Sequence, residues 1–469
     1  MFPAKDQHCH APGSFTLCLL PQNSMSKTGK AYHTFHDWSL GRILLLTLPM
    51  LLIAAVAFIG VHRLVLDLDL DHWQGSRGYD VTARSIVEQG LYSENGATMT
   101  LNRPPLYPAY LAVFHKALGP RAHLGAYIGQ ALMYVVTGLL LIVLSWRLFH
   151  QPLTTLLTAL LYVFHIEFAI EALSLRDTLL FSCILACLIA QWGCKPTAWR
   201  MLLWALLSAL LYLTRPTGVV LPFLAPWWLL PWIRQNSWPR LLQLAGTFWL
   251  GFALFTLPWH LFVWQQTHDL SLLPSSTSGE NLYKGHFKDF STLYPWVDLD
   301  DYNPRIDQLT AGLSESERNQ LLKDKGWEAI FQDPLAALSR CGIKFLALYS
   351  PLRTPLGEAD LVQTDDGVVL ENFRLNTLPF IMLPHAMIML LGALAFILSW
   401  KQLTAPQRAF LIQALGFLLA VTAIHLLTFG ETRHRLPLDM IFIPMAAAFA
   451  GRTFFQVTNS GKHITPQPS

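Results

Sequence analysis

Ten stretches of the chain are nearly continuous in apolar residues: 41–62, 123–145, 153–170, 176–193, 199–214, 217–233, 240–264, 377–400, 408–428 and 436–454. A bilayer core of roughly 30 Å needs about 20 such residues in a helix, because every backbone N–H must find its partner within the segment. The pattern predicts an all-α polytopic membrane protein with about ten transmembrane helices. The stretches between 153 and 233 are short and closely spaced, so their ends are the least sharply marked.

Two long polar intervals, 63–122 and 265–376, interrupt the apolar pattern. In the first, Tyr79, Ala83, Ile86 and Val87 follow i, i+4, i+7, i+8 spacing, with Asp80, Arg84 and Glu88 between them. That period predicts an amphipathic helix lying along the membrane surface. After the turn Ser93–Gly96, the run Arg103-Pro104-Pro105-Leu106-Tyr107-Pro108 leads into Ala109–Leu118. This segment is too short to span and predicts a second interfacial helix. Proline in a first helical turn costs little, since those N–H groups have no intrahelical partner.

Composition supports the membrane reading and excludes others. Apolar residues make up 53% of the 469 and DEKR only 13%, about half the share a soluble protein carries. No Lys/Arg-rich run or RNA-type aromatic motif is present, so no nucleic-acid partner is expected. The six cysteines form no CxxC pair and the seventeen histidines no HExxH. Neither a disulfide framework nor a zinc site is expected, and no residue is assigned to a metal.

Placing the charges fixes an expected orientation. With the N-terminus inside, the cytoplasmic segments hold Lys5, Lys27, Lys30, Arg42, Arg147, Lys195, Arg200, Arg234, Arg240, Lys401, Arg408, Arg452 and Lys462 against Asp6 and Asp37. Such a basic excess marks the cytoplasmic side. The chain then divides into a cytoplasmic tail 1–40, a transmembrane bundle 41–264 carrying the first outer loop 63–122, and an extracytoplasmic loop domain 265–376. C-terminal transmembrane helices 377–455 and a cytoplasmic tail 456–469 complete it. The first 40 residues hold no apolar core of signal-peptide length, and Met25 is an expected alternative start because nothing before it carries a structural pattern.

Ionisable groups near the membrane need a reason, and four clusters lie at outer helix ends. They are Asp67, Asp69, Asp71 and Asp80; Arg103; Glu167, Glu171, Arg176 and Asp177; and Glu431, Arg433, His434 and Arg435. A solvated loop face accounts equally well for any one of the first group. The last is different: basic residues are normally depleted from a short outer loop, and guanidinium groups there match the oxygens of a phosphate. Carboxylates beside such a group suggest a base activating a hydroxyl near a phosphorylated leaving group. Asp69-Leu70-Asp71 is a short acidic pattern that can hold a divalent cation; no cofactor is otherwise implied.

These residues resemble the GT-C superfamily of membrane glycosyltransferases, and within it the bacterial branch related to protein O-mannosyltransferases and lipid A aminoarabinose transferase. The resemblance rests on Tyr79-x3-Ala83-x2-Ile86, Gly90, Arg103-Pro104-Pro105-Leu106-Tyr107-Pro108, Leu175-Arg176-Asp177 and Leu213-Thr214-Arg215-Pro216. It continues through Gly279-Glu280-Asn281-Leu282-Tyr283, Asp333-Pro334, Lys344 and Glu431-x-Arg433-His434-Arg435-Leu436-Pro437. It implies a bundle beneath an outer domain, with the active site between the first outer loop and the bundle.

By that resemblance an outer-loop carboxylate is the base, and the basic residue before the double proline, here Arg103, holds the lipid phosphate. Arg176, Arg433, His434, Arg435, Tyr107 and Glu431 join it as expected substrate-binding residues, and Asp177 matches a second acidic position. The family's principal Asp precedes Tyr-x3-Ala by about four residues, where this chain has Gly75. The base then falls to a neighbour. Asp80 is slightly favoured because the surface helix orients it, with Asp71 close behind.

The implied activity is transfer of a sugar from a polyprenyl-phosphate-linked donor to a glycan, lipid or protein acceptor outside a bacterial inner membrane. Two alternatives stand beside it. An O-antigen ligase or polymerase does not account for the Arg-Pro-Pro-Leu-Tyr-Pro run after a surface helix. A secondary transporter would carry internal repeats and mid-depth polar groups, whereas here the charges gather at one face.

Overall fold

The computed structural model describes residues 38–65, 77–267, 273–350, 352, 354–364, 367–375, 383–399, 403–430 and 432–460. Asp67, Asp69, Asp71, Gly75 and Glu431 lie outside the described residues, as do most of the expected cytoplasmic tails.

Helix α1 (Leu40–Val65) is followed by α2 (Arg77–Gln89), α3 (Leu106–Leu118) and α4 (Ala122–Phe149). The apolar stripe of α2 packs as its spacing predicts: Tyr79 and Ala83 are buried with Tyr107 and Leu111 of α3 and with Leu175, and Ile86 packs against them. Asp80 is buried with that face, while Val87 stays exposed. Between α3 and α4, Gly119 takes φ +53°, a conformation that favours glycine. The turn folds α3 back along α4, where the Tyr110 hydroxyl donates to the Ala126 carbonyl at 2.7 Å.

The bundle continues through α5 (Pro152–Val163), α6 (Ile166–Ala172), α7 (Thr178–Ile189) and α8 (Ala198–Thr214). A 3₁₀ stretch (Pro216–Leu224), α9 (Ala225–Leu229), a second 3₁₀ stretch (Leu230–Gln235) and α10 (Trp238–Thr267) follow. One core runs through these helices and the C-terminal ones, from Leu51 of α1 through Tyr134, Tyr162, Leu185 and Trp204 to Ile441. Gly138 of α4 sets a close approach: an added Cβ would stand 2.7 Å from Leu51 and 2.8 Å from Tyr162.

The outer segment contains α11 (Ser278–Lys284), α12 (Phe290–Leu293), α13 (Asn303–Leu309), α14 (Glu315–Gln332) and α15 (Pro334–Leu348). Helix α14 opens on a capping box, Ser314 and Glu317 satisfying each other's backbone N–H. Asp333 caps α15, which has Pro334 at its start. Glu315 joins this segment to the first outer loop: its carboxylate accepts from Leu101 N–H at 2.8 Å and Thr100 Oγ1 at 3.1 Å, and also from Ser276 Oγ.

Strands β1 (Gly357–Thr364) and β2 (Gly367–Leu375) then form an antiparallel hairpin, with Thr364 opposite Gly367 and an irregularity between Glu358 and Asp360. This corrects the all-α expectation for the loop. Leu361-Val362 before Asp365-Asp366-Gly367 and Val368-Val369-Leu370 after it are a hairpin signal within the polar interval. The chain closes with α16 (Leu383–Ser399), α17 (Ala405–Leu427) and α18 (Thr432–Ser460).

The protein is a helical membrane protein. Large apolar side chains on the outside of its helices, such as Leu45, Ile53 and Val56 on α1, Leu242, Leu250 and Leu254 on α10 and Leu415 and Leu419 on α17, are exposed, and lipid is the solvent that suits them. By length and composition five helical stretches among the described residues suffice to cross a membrane: Leu40–Phe58, Leu106–Phe149, Pro216–Gln235, Trp238–Gln266 and Ala405–Leu427. A sixth arises if α5 and α6, bent by 53° at Phe164–His165, count together. The expected 153–170 span is this broken pair, and 217–233 is largely 3₁₀, because Pro216, Pro222, Pro226 and Pro231 cannot supply backbone donors.

Candidate active site

The end of α8, the starts of α7 and α18, the end of α17 and the outer segment converge on a cavity of about 540 Å³. Its lining includes six cationic side chains, Arg103, Arg176, Arg215, Lys284, Arg318 and Arg433, against four carboxylates, Asp177, Glu280, Asp300 and Asp307. With the histidines neutral, cations exceed carboxylates by two among the described lining residues.

Its carboxylates are already engaged. Arg215 donates Nε to Asp177 Oδ2 at 2.7 Å and Nη2 to Asp177 Oδ1 at 3.0 Å, with Thr178 Oγ1 also accepting from Nη2. Lys284 Nζ lies 2.9 Å from Glu280 and 2.8 Å from Asp300, and Arg318 reaches Glu280 at 2.8 Å and Asp307 at 3.2 Å. Burial opposes the charge on Glu280, but Lys284 and Arg318 outweigh it and hold the carboxyl below its usual range. The same balance, with Lys284 foremost among the cations, keeps Asp300 low. Arg176 makes no ion pair among the described residues.

Arg103 is held by its surroundings. Its carbonyl accepts from the Tyr92 hydroxyl at 2.8 Å, and its guanidinium lies 5.0 Å over the Tyr79 ring and 3.5 Å from Glu94. Tyr107 lies behind this wall, fully buried, its ring edge-on to Tyr79 at 5.0 Å; it does not line the cavity. The Ser174 carbonyl, just before Arg176 and Asp177, accepts from Gln130 Nε2 of α4 at 2.8 Å.

Of the sequence-predicted residues, the structure brings Arg103, Arg176, Asp177, Arg433 and His434 together. His434 stacks on His425 at 5.0 Å. Arg435 is not with them. It is fully buried, donates to the carbonyls of Leu348 and Ser350, and lies 3.5 Å from Glu167 and 3.6 Å from Asp439. Successive helical residues are about 100° apart, so Arg433 and His434 face the cavity while Arg435 turns into the bundle.

Asp80 is likewise outside the cavity lining, although Tyr79 beside it is part of that wall. Its carboxylate is occupied by His115 at 2.8 Å, His123 at 2.9 Å and Arg84 at 2.7 Å. Burial pushes its acidity down, yet these partners prevail and hold the carboxyl well below the usual range. The charged lining residues not assigned from sequence are Arg215, Glu280, Lys284, Asp300, Asp307 and Arg318. Arg215 and Glu280 stand in noted motifs; Lys284, Asp300, Asp307 and Arg318 come from an interval whose folding no local pattern reveals.

No protein-family model matches the chain, and no curated protein does. Among solved structures it is similar to ArnT from Cupriavidus metallidurans bound to undecaprenyl phosphate, at 13% identity and a TM-score of 0.39, covering 90% of this chain and 81% of that one. It is also similar to the archaeal oligosaccharyltransferase AglB from Archaeoglobus fulgidus, in complex with an inhibitory peptide and a dolichol-phosphate. That match has 12% identity and a TM-score of 0.49, covering 92% of this chain and 53% of AglB, so the chain spans about half of AglB's length.

Proposed function

We propose that the protein is a glycosyltransferase that moves a sugar from a polyprenyl-phosphate-linked donor to an acceptor at the extracytoplasmic face of the membrane. The observation that carries this reading is the cavity: among its described lining residues two positive charges are in excess, with every carboxylate already paired to a cation. Such a site favours an anion, and guanidinium groups favour phosphate geometry. Its position at the ends of apolar helices suits a headgroup whose chain remains in lipid.

In this reading Arg103, Arg176 and Arg433 hold the phosphate and stabilise the charge that grows on it as the sugar leaves. Hydroxyl attack needs a carboxylate within hydrogen-bond reach of the acceptor proton. Asp177 lies on the wall, and each of its oxygens keeps further accepting capacity beside the Arg215 bonds. Asp71 precedes α2 in the sequence. The base is assigned to one of these two, and Asp80, engaged elsewhere, is not proposed for the role.

The site faces outward in a ten-span arrangement, within a bacterial inner membrane. Mass spectrometry of envelope lipids, glycans and proteins from a deletion strain tests the activity. One sugar modification should disappear while its polyprenyl-phosphate-linked precursor accumulates. Unchanged lipid-linked sugar pools together with unchanged envelope modifications would contradict it.

A further inference from the structure

We propose that Asp80, His115 and His123 form a binding site for one dication of the zinc class at the corner where α2, α3 and α4 meet. His115 Nε2 and His123 Nε2 lie 2.8 and 2.9 Å from the same oxygen, Asp80 Oδ1. The ligand atoms come from different helices and all stand within 4.8 Å of one another. In a tetrahedral site with bonds of about 2.0–2.1 Å, neighbouring ligand atoms are roughly 3.4 Å apart. An ion therefore needs each imidazole to withdraw from Asp80 Oδ1 by only about half an ångström. The hydrogen-bonded trio is the closed form of the same site.

Access and charge also fit. The three side chains are 6, 12 and 10% exposed, and His115 and His123 line a surface pocket of about 470 Å³ together with Arg84 and Glu88. The pocket leaves room for water as a fourth ligand, the arrangement of an open zinc site. Arg84 pairs with the other oxygen, Asp80 Oδ2, and its side chain is 49% exposed, free to swing outward. The imidazole rings stand at 86° with centroids 5.6 Å apart, so neither covers the other's nitrogen. On binding, each neutral imidazole carries its proton on Nδ1 and offers the Nε2 lone pair.

A second trio, His165, His385 and Asp439, is fully buried with Arg435 3.6 Å from Asp439. That guanidinium already supplies the positive charge, so the trio is not assigned to a dication. The surface site lies behind the cavity wall: α2 carries Tyr79 and α3 follows Arg103. A bound ion would clamp the frame that presents both.

The test equilibrates purified full-length protein with Zn²⁺, then measures metal per chain after dialysis and the Zn²⁺ dependence of Tm. Seventeen histidines give a background, so the comparison is between wild type and variants. His115→Gln and His123→Gln each keep an amide N–H for Asp80 Oδ1 but lose the imidazole ligand; Asp80→Asn is nearly isosteric. Each variant should hold one zinc fewer per chain than wild type and lose the zinc-dependent rise in Tm that linkage requires. Equal zinc content and equal Tm shifts in wild type and all three variants would overturn the site, as would a wild-type Tm that does not respond to Zn²⁺.

Discussion

Asp177 and Arg215 form a buried, two-pronged ion pair at the cavity wall, with side chains 10 and 9% exposed. Removing one partner of such a pair leaves the other charge uncompensated, at a cost of about 3–5 kcal/mol. Asp177→Asn should therefore lower Tm and abolish turnover together. Asp71→Asn, acting outside this pair, should leave Tm unchanged. If it also leaves turnover unchanged, the base assignment rests on Asp177; loss of turnover at constant Tm places the base at Asp71. Normal turnover in both variants would contradict this part of the mechanism.

The place of Arg103 and Asp177 on the cavity wall is legible in the sequence because each stands in a short run with a local constraint, the double proline and a helix start. Asp80 does not line the cavity: sequence shows its helix face but not that two histidines, 35 and 43 residues later, turn to meet it. Arg435 was grouped with Arg433 by adjacency, whereas helical rotation separates their environments.

Among the elements, α15 is joined to the cavity-bearing parts through Lys344. Its Nζ lies 3.2 Å from the Gly285 carbonyl, 2.8 Å from that of Thr428 and 3.1 Å from His286 Nε2. Burial, with the nearby Arg340 charge, pushes the Lys344 pKa down to about 7. A neutral amine fits these partners: it donates to both carbonyls, while the His286 Nε2–H is given to the Leu427 carbonyl at 2.8 Å. Below pH 7 the folded and unfolded chains both bind the proton, and the penalty is complete. Between pH 7 and the unfolded value of about 10.4 the unfolded chain binds more protons, so stability rises with pH by at most about 1.4 kcal/mol per unit. Unfolding midpoints in detergent from pH 7 to 9.5 should show this rise in wild type and a flatter profile in Lys344→Met. Parallel profiles would show that Lys344 stays charged when folded. The helices that flank the cavity follow the apolar pattern and the hairpin a local turn signal, while the Lys344 junction depends on Gly285, His286 and Thr428, far from it in the chain.

Across the whole molecule, the basic residues expected on one side and the cavity at the opposite helix ends describe a polarised protein. Reporter fusions after Trp400 should read cytoplasmic and fusions near Asp300 external; external signal at both would remove the ten-span arrangement. In the proposed function the cavity holds a lipid-linked phosphate. The most direct measurement is the affinity of a short-chain polyprenyl phosphate for the purified protein in nanodiscs, comparing wild type with Arg103→Ala and Arg103→Lys. A charge-assisted hydrogen bond contributes about 1.5–3 kcal/mol, so Arg103→Ala should weaken binding at least roughly tenfold. Arg103→Lys should recover only part, since the planar fork is lost. Saturable wild-type binding with these losses is the predicted result, and equal affinity in wild type and Arg103→Ala would contradict it.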